Sequence, residues 1–184
     1  LYRELLELKF ERKLPLISAG TSAVLPLLIE GNLPKQMNHF RIGEAILLGT
    51  DPVRGEVVRG LRGDTVRLDA EVVEIKQKSL VPVGETSDVT PFAPVETEER
   101  EPGERGYRAI VTVGQLDTDI GTLTPVDPDN TIVGASSDLT VVHLGDEPNG
   151  LAIGDVLGFR VGYASLVRLM ANPYTEKRVV RPDR

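Results

Sequence analysis

Two short segments carry hydroxyl groups and helix-start N–H groups of the kind that bind phosphate. Residues 18–22 (SAGTS) supply the hydroxyls of Thr21 and Ser22, and Gly43-Glu44 opens a helical pattern. Each segment follows a short apolar run, as loops do at the carboxyl ends of parallel strands. Unpaired N–H groups with a helix dipole behind them hold phosphate oxygens, and glycine lets a ligand come close to the backbone. The pattern therefore predicts a phosphate cradle; the alternative interpretation is a pair of ordinary strand-to-helix turns.

Arg41 is the cation that stands beside this predicted cradle in the sequence. It ends an apolar strand pattern, where an unpaired charge would be costly, so one interpretation is an ion pair with one of the 28 acidic residues. A guanidinium does not lose its proton in practice and can therefore only donate hydrogen bonds. From the residues alone, the ion pair is the favoured interpretation.

Other reactive residue types are scarce. The chain has no cysteine, which excludes disulfides, thiolate metal sites and cysteine nucleophiles. Its two histidines, His39 and His143, lack a neighbour at metal-ligand spacing and are interpreted as structural. We predict no metal site, and no catalytic lysine or Ser/His/Asp arrangement can be assigned.

The elements that must position these groups alternate over the first fifty residues. Helices are predicted at about 2–12, 23–30 and 44–48, and strands at 14–18 and 39–42. This alternation is typical of a parallel α/β sheet. Two parallel strands cannot close a barrel or cover their own edges, so the pattern indicates part of a larger sheet.

Beyond residue 50 the pattern becomes mainly β. Residues 64–78 alternate apolar and charged side chains, which predicts a long half-buried strand, and a break in phase at 72–75 predicts a bulge or a twist. Shorter elements follow between turns rich in Gly and Pro: strands at 108–113, 131–134, 140–144 and 156–161, and a helix at 165–171. We assign residues 1–50 to an α/β domain and residues 51–184 to a mainly-β domain of sandwich or barrel-like type.

The bulk properties narrow the class of protein. The 184 residues carry a net charge of −7, which argues against nucleic acid or an anionic membrane as the main partner, and no apolar run is long enough to cross a bilayer. An acidic segment is interpreted as a solvated loop: Glu96, Glu98, Glu99, Glu101 and Glu104. With no signal-like segment and no cysteine, we expect a cytoplasmic protein. The chain starts at Leu1 within an amphipathic helix, so we expect a fragment.

A family resemblance extends over most of the chain. Residues 17–49 (ISAGTSAVLPLLIEGNLPKQMNHFRIGEAILLG) resemble the phosphate-binding part of the pyridoxal-phosphate-dependent amino-acid racemases of the alanine racemase type, fold type III, and most nearly their ornithine racemase branch. Residues 111–146 (VTVGQLDTDIGTLTPVDPDNTIVGASSDLTVVHLGD) and 154–177 (GDVLGFRVGYASLVRLMANPYTEK) continue the match in the same order. The resemblance implies that residues 1–50 are the last two βα units of a (β/α)8 barrel. It also implies that the cofactor-binding lysine lies N-terminal to this chain.

The resemblance implies roles for several residues. Thr21 and Ser22, with the backbone N–H groups of Gly43 and Glu44, would hold the cofactor phosphate. Tyr163 would reach the same phosphate with its hydroxyl. The alternative for this tyrosine is a half-buried residue at a strand-to-helix junction.

By the same resemblance, Arg41 faces the pyridine nitrogen of the cofactor. A guanidinium there disfavours protonation of the nitrogen and weakens the cofactor as an electron sink. The substrate carbanion is then more basic and takes its proton back at the same carbon. Racemisation is therefore favoured over transamination.

The chain departs from alanine racemases at Gln115, where they carry a catalytic tyrosine. An amide cannot act as a general base near neutral pH, so a second base must come from elsewhere or the mechanism differs. Asp117 and Asp119 could pair with a distal substrate ammonium, with a solvent-facing Asx turn as the alternative. Another loop matches one that in relatives reaches the partner subunit's active site, with simple turn formation as its alternative: Ser136, Ser137 and Asp138.

The resemblance thus implies the C-terminal part of a pyridoxal-phosphate-dependent amino-acid racemase. We expect it to act on an amino acid, to form a homodimer or to join an N-terminal fragment of the same protein, and to be inactive alone. The alternatives are a non-catalytic β-domain that serves association and a cofactor-binding protein without turnover. The identity of the amino acid stays open.

Overall fold

The computed structural model describes residues 2–79 and 103–181. The chain forms two compact units, Leu1–Val66 and Arg67–Arg184. Residues 51–66, which composition assigned to the second domain, lie in the first unit because they fold back on the end of its last helix. The Asp51 N–H donates to Glu56 O at 2.8 Å and the Val58 N–H donates to Gly49 O at 2.8 Å. One of the turns rich in Gly and Pro, at Pro82 and Gly84, lies outside the described residues, as does the acidic segment up to Glu101.

The first unit alternates helices and strands, as expected. Its elements are α1 (Tyr2–Phe10), β1 (Ser18–Thr21), a 3-10 turn (Ser22–Val24), α2 (Leu25–Ile29), β2 (His39–Arg41) and α3 (Glu44–Leu48). Strands β1 and β2 pair in parallel, with Ser18 opposite His39 and Thr21 opposite Arg41. The carboxyl ends of the two strands therefore lie side by side.

Strand β1 begins later than the prediction of 14–18, because the apolar run before it cannot form a ladder. Pro15 has no N–H to donate. The side chain of Asn38 pairs with this run instead: its Oδ1 accepts from the Ile17 N–H at 2.8 Å and its Nδ2 donates to Pro15 O at 2.8 Å. Regular pairing starts only at Ser18, so part of the expected loop at 18–22 is strand.

Helix α1 ends at Phe10, two residues earlier than predicted. Glu11 has a φ of 50°, in the left-handed region that stops a right-handed helix. Glu7 holds the following turn, because its Oε1 accepts from the Leu14 N–H at 2.7 Å and from Arg3 Nε at 3.1 Å. These bonds, the Leu14 bond first, hold the pKa of Glu7 below its usual range. No residue of α1 is buried.

The second unit is a six-stranded antiparallel sheet with one helix. Its elements are β3 (Arg67–Ser79), β4 (Arg105–Val111), a 3-10 turn (Ile120–Thr122), β5 (Leu123–Pro125), β6 (Thr131–Ala135), β7 (Thr140–His143), β8 (Val156–Val161) and α4 (Tyr163–Ala171). The strand order is β5-β8-β3-β4-β7-β6, and the outermost strands β5 and β6 also contact one another. The sheet is therefore nearly closed, like a barrel.

The long strand β3 connects the two halves of this sheet. Residues 67–71 pair with β8 and residues 72–79 pair with β4. The register shifts between Val72 and Glu74, which confirms the bulge predicted from the break in phase. A bulge bends a strand and increases its twist, so one strand can serve both halves of a curved sheet. Phe159 is fully buried in the core.

Two features of this unit were not expected. Strand β5 consists of Leu123, Thr124 and Pro125, which is too short for an alternating pattern to be recognised and includes a proline. Helix α4 begins at Tyr163, two residues earlier than predicted. None of the helices in the described ranges combines the length and the apolarity needed to span a bilayer.

Candidate functional site

The ends of β1 and β2 are joined by the hydroxyl of Ser22. Its Oγ accepts hydrogen bonds from the Gly43 N–H at 3.3 Å and the Ala45 N–H at 3.2 Å. Ser22 is buried, and within the described residues its own O–H donates to no acceptor. The predicted cradle residues of the two loops are therefore brought together, and a hydroxyl proton is left for a further partner.

This arrangement caps α3 from a separate segment. Gly43 is the N-cap residue and has no side chain with which to accept an N–H of the first turn. The hydroxyl of Ser22 takes that role. The Gly43 N–H, which we expected to face a phosphate, is thus already paired, whereas the Glu44 N–H has no acceptor among the described residues. The Glu44 side chain is also engaged, since its Oε1 accepts from Thr50 Oγ1 at 3.0 Å.

The two glycines of these loops serve different needs. Gly20 has a φ of 81°, and a Cβ there would lie 2.6 Å from Val24 Cγ1, so the fold itself requires glycine. Gly43 has a φ of −122°, and a Cβ there would meet nothing within 4 Å. The fold does not require glycine at Gly43. Open space therefore lies beside the start of α3.

Arg41 is exposed, although we expected it at the end of a buried strand. Strand β2 has two exposed residues and one half-buried residue. The charge of Arg41 therefore carries no desolvation cost from burial. Arg41 Nη1 donates to Ser18 Oγ at 2.6 Å, and Arg41 forms no ion pair with another described residue. The ion-pair interpretation therefore finds no partner in the described part of the chain. Most of the guanidinium donors remain available.

Tyr163 lies in the second unit, as the first residue of α4. Its side chain is 49% exposed, which agrees with a half-buried tyrosine at a strand-to-helix junction. The hydroxyl makes no hydrogen bond to a described residue. Both the phosphate role and the plain junction role fit this placement.

The loop at 136–138 and the turn at 114–117 are brought together within the second unit. The Gln115 N–H donates to Ser136 O and the Leu116 N–H donates to Ser137 O, both at 3.0 Å. A Cβ on Gly114 would lie 2.2 Å from Ser137 O, so only glycine permits this approach. Two segments that the sequence linked to substrate therefore form one surface.

The side chains on this surface differ in how much they are already bonded. Gln115 Nε2 donates to Ala135 O at 3.3 Å, and Ser137 Oγ donates to Asp138 Oδ2 at 2.6 Å. Asp117 accepts at both oxygens, from the Gly114 N–H and from Asn172 Nδ2, each at 3.0 Å. These bonds favour the Asx-turn interpretation of Asp117 over a contact with substrate.

Metal chemistry finds no support in the described ranges. They contain no cluster of three or more His, Asp or Glu side chains able to hold a metal ion. His39 is exposed, and His143 is buried in β7 opposite Arg108 of β4. Both placements suit the structural role predicted for the histidines.

A group of hydroxyls in the second unit was missed by the sequence reasoning. Where α4 meets the segment before β5, the hydroxyls of Thr122 and Ser165 bond each other, Ser165 also donates to Asp119 O, and Thr118 donates to Ser165 O. The available signal was Gly162 before a helix, since a glycine N-cap calls for an acceptor from another segment. The acceptor is Thr122, which lies too far from Ser165 in sequence for a local pattern to identify it.

Comparison with known proteins gives close sequence relatives, although no protein-family model matches the chain. The chain is 37% identical over 175 residues to ornithine racemase from Acetoanaerobium sticklandii and 35% identical over 175 residues to lysine racemase from Thermotoga maritima. The matches cover 95% of this chain but 49% and 48% of those proteins. The chain therefore spans about half the length of these relatives.

The fold is similar to that of alanine racemase. The structure from Bartonella henselae, which has covalently bound pyridoxal phosphate, matches with a TM-score of 0.52 at 18% identity, over 91% of this chain and 44% of that chain. Together with the sequence relatives, this match confirms the resemblance predicted from the sequence.

The first prediction concerns the cap of α3. Ser22→Ala should lower the stability of the first unit by about 1 kcal/mol, because the N–H groups of Gly43 and Ala45 lose their acceptor. Thr21→Ala is the matched control, since the neighbouring hydroxyl is exposed and makes no hydrogen bond to a described residue. Hydrogen exchange at the Gly43 and Ala45 amides measures the effect. Equal exchange in the two variants would contradict the cap.

Proposed function

We propose that this chain is part of a pyridoxal-phosphate-dependent amino-acid racemase, to which it supplies the cofactor phosphate and pyridine contacts and the β-domain. The chain is a homologue of the ornithine and lysine racemases, and its fold is like that of alanine racemase. The match of 175 residues at 37% identity to ornithine racemase carries this proposal. In it, the first unit is part of a (β/α)8 barrel and the second is the C-terminal β-domain. The complete protein would act in the cytoplasm.

The groups at the ends of β1 and β2 suit a phosphate ester. The Glu44 N–H and the Ser22 O–H have no acceptor among the described residues, and the exposed Thr21 hydroxyl is a further donor. The open space beside Gly43 lets a ligand approach these donors. We assign Thr21, Ser22 and Glu44 as phosphate donors and Gly43 as the residue that keeps the approach clear.

Arg41 is the proposed partner of the pyridine nitrogen. Pyridoxal phosphate, when bound, withdraws electrons from the α-carbon of an amino acid. Arg41 stands opposite Thr21 across the strand pair and has donors to spare beyond its bond to Ser18. A guanidinium that can only donate would keep a proton off the ring nitrogen and so favour return of the proton to the α-carbon.

Tyr163 is proposed as a hydroxyl donor to the same phosphate. Its exposure supports this role, and so does its hydroxyl, which bonds no described residue, because a phenol held at a helix start can donate to an anion without losing an existing bond.

The substrate end is proposed at the surface of Gln115, Ser137 and Asp138. Gln115 can orient a substrate by hydrogen bonds but cannot take its proton. Asp138 is exposed and keeps one oxygen beyond its bond from Ser137, which suits a distal ammonium. The names of the relatives support a basic amino acid such as ornithine or lysine as substrate. Asp117 is left out because both of its oxygens are bonded.

Association with a second polypeptide is part of the proposal. The first unit exposes large apolar side chains on all three helices, among them Leu8 at 79% and Ile46 at 66%. Large apolar side chains exposed on all three helices are expected of a surface that another polypeptide covers. A homodimer or an N-terminal fragment of the same protein would cover it.

The same exposed surface favours a second candidate function, a non-catalytic module that serves association alone. Binding of phosphate distinguishes the two candidate functions. A racemase part binds phosphate at the ends of β1 and β2, whereas an association module forms dimers without such binding.

The second prediction concerns the phosphate donors. On titration with inorganic phosphate, the amide resonances of Thr21, Ser22 and Glu44 should shift, with weak affinity because the site is small and open. Gly43→Val should abolish the shifts by filling the approach, while Ser22→Ala should weaken them.

Gly134→Ala is the control, since Gly134 also faces open space but lies in the β-domain. It should leave the titration unchanged. Shifts confined to residues 96–105 would show that the phosphate site is assigned to the wrong loops.

The third prediction concerns Arg41 in a complete racemase that contains this chain. Arg41→Glu should stabilise a proton on the ring nitrogen and raise the yield of keto acid relative to racemised amino acid by about tenfold, the ratio expected for roughly 1.4 kcal/mol. Arg12→Glu makes the same change of charge at an exposed arginine after α1 and should have no effect. Equal product ratios in the Arg41 variant and its parent would remove Arg41 from this role.

A further inference from the structure

The N-terminus of α4 has no side-chain cap of its own. Gly162 is the N-cap residue and forms no side-chain hydrogen bond. The first turn of a helix needs acceptors for its N–H groups, and a serine, threonine or aspartate at the N-cap ordinarily supplies one. Here the acceptor comes from Thr122, at the end of the 3-10 turn before β5. Thr122 Oγ1 accepts from the Ser165 N–H at 3.2 Å.

The hydroxyl protons at this junction can be placed from the distances. Ser165 Oγ lies 2.6 Å from Asp119 O and 2.7 Å from Thr122 Oγ1. A carbonyl can only accept, and Ser165 Oγ lies closer to Asp119 O than Thr122 Oγ1 does, which is 3.3 Å away, so Ser165 donates to Asp119 and Thr122 donates to Ser165. Thr122 Oγ1 then accepts the Ser165 N–H. Each hydroxyl donates once and no proton is left over, so the two side chains and the start of α4 form one bonded ring.

Gly162 is required because Thr122 occupies the usual place of the cap. A Cβ on Gly162 would lie 2.8 Å from Thr122 Cβ, and the Gly162 N–H donates to Thr122 O at 2.7 Å. A conventional cap at residue 162 would clash with the residue that replaces it. Glycine at 162 and a hydroxyl at 122 therefore depend on each other.

The other end of α4 is tied to the same segment. Asn172, just after the helix, donates from Nδ2 to Asp117 Oδ1 at 3.0 Å. Between the two ends, Thr118 Oγ1 donates to Ser165 O at 3.3 Å. The helix that begins with Tyr163 is thus held along its length by residues 117–122, the segment that continues directly from Gln115.

We infer that Thr122 is a positioning residue that fixes Tyr163 relative to the segment carrying Gln115. Tyr163 lies two residues before Ser165 on the first turn, so the bond from Ser165 to Thr122 sets where that turn stands. The inference rests on the proposed function, in which Tyr163 contacts the cofactor phosphate and Gln115 lies at the substrate end. Thr122 itself touches neither ligand.

Two substitutions distinguish the bond from the Ser165 N–H to Thr122 from the hydrogen bond between the hydroxyls of Thr122 and Ser165. Thr122→Val keeps the shape but removes the acceptor, so the Ser165 amide should exchange its hydrogen about fivefold faster, the ratio for loss of one cap. The Tyr163 ring resonances should also shift and sharpen. Ser165→Ala removes the other hydroxyl but keeps the N–H bonded to Thr122, so Tyr163 should stay in place.

The controls distinguish a local effect from general loosening. Thr122→Ser keeps a hydroxyl acceptor, so the exchange of the Ser165 amide and the Tyr163 ring resonances should match those of the parent. Thr124→Val removes an exposed hydroxyl two residues away that bonds no described residue, and it should change nothing. Amide exchange in β3 and β4 should be equal in all variants. Were Thr122→Val to match the parent at Ser165 and Tyr163, or Ser165→Ala to release Tyr163, the positioning role would be overturned.

Phosphate titration tests the proposed function separately in the same chains. Added inorganic phosphate should perturb Tyr163 in the parent and less in Thr122→Val, while the response of Glu44 stays. No response of Tyr163 in the parent, together with faster Ser165 exchange in Thr122→Val, would remove the phosphate role of Tyr163 and support the positioning role.

Discussion

Both helices that begin beside a proposed ligand contact are capped by a hydroxyl from a separate segment. Ser22 serves α3 and Thr122 serves α4, and in each case the N-cap residue is glycine. The hydroxyl satisfies N–H groups that would otherwise need water, and it ties two segments that are far apart in sequence. In the first unit this bond holds the ends of β1 and β2 together. In the second it holds α4 against residues 117–122.

A cap from another segment also decides what remains free for a ligand. At α3 it uses the N–H groups of Gly43 and Ala45 but leaves that of Glu44, the proton of Ser22 and the space beside Gly43. Preorganised donors of this kind bind an anion without first breaking internal bonds. The exposed guanidinium of Arg41 adds a positive charge near these donors. The proposed phosphate contacts thus use donors that remain after the first unit has capped α3.

Prediction from the sequence succeeded where the residue pattern within one segment determines the structure of that segment. The limits of α3 and β8 match the prediction, and the bulge in β3 followed from a break in alternation. Prediction was wrong where contacts outside the local pattern set the limits of an element. Strand β1 starts only at Ser18, because Pro15 lacks an N–H and the side chain of Asn38 bonds the residues before Ser18. The site shows the same division. Thr21, Ser22 and Gly43 could be named from the sequence, whereas Thr122 was missed, and the atoms bonded to Ser22 and Thr122 depend on tertiary contacts.

The most direct test of the central claim joins this chain to the part of Acetoanaerobium sticklandii ornithine racemase that it does not match. The measurement is the loss of optical activity of L-ornithine and of L-lysine, with pyridoxal phosphate added. If this chain supplies the cofactor contacts of a racemase, the chimera will bring at least one of the two amino acids to equal amounts of both enantiomers. A folded chimera that binds pyridoxal phosphate but racemises neither, in an assay where the native ornithine racemase is active, would contradict the account.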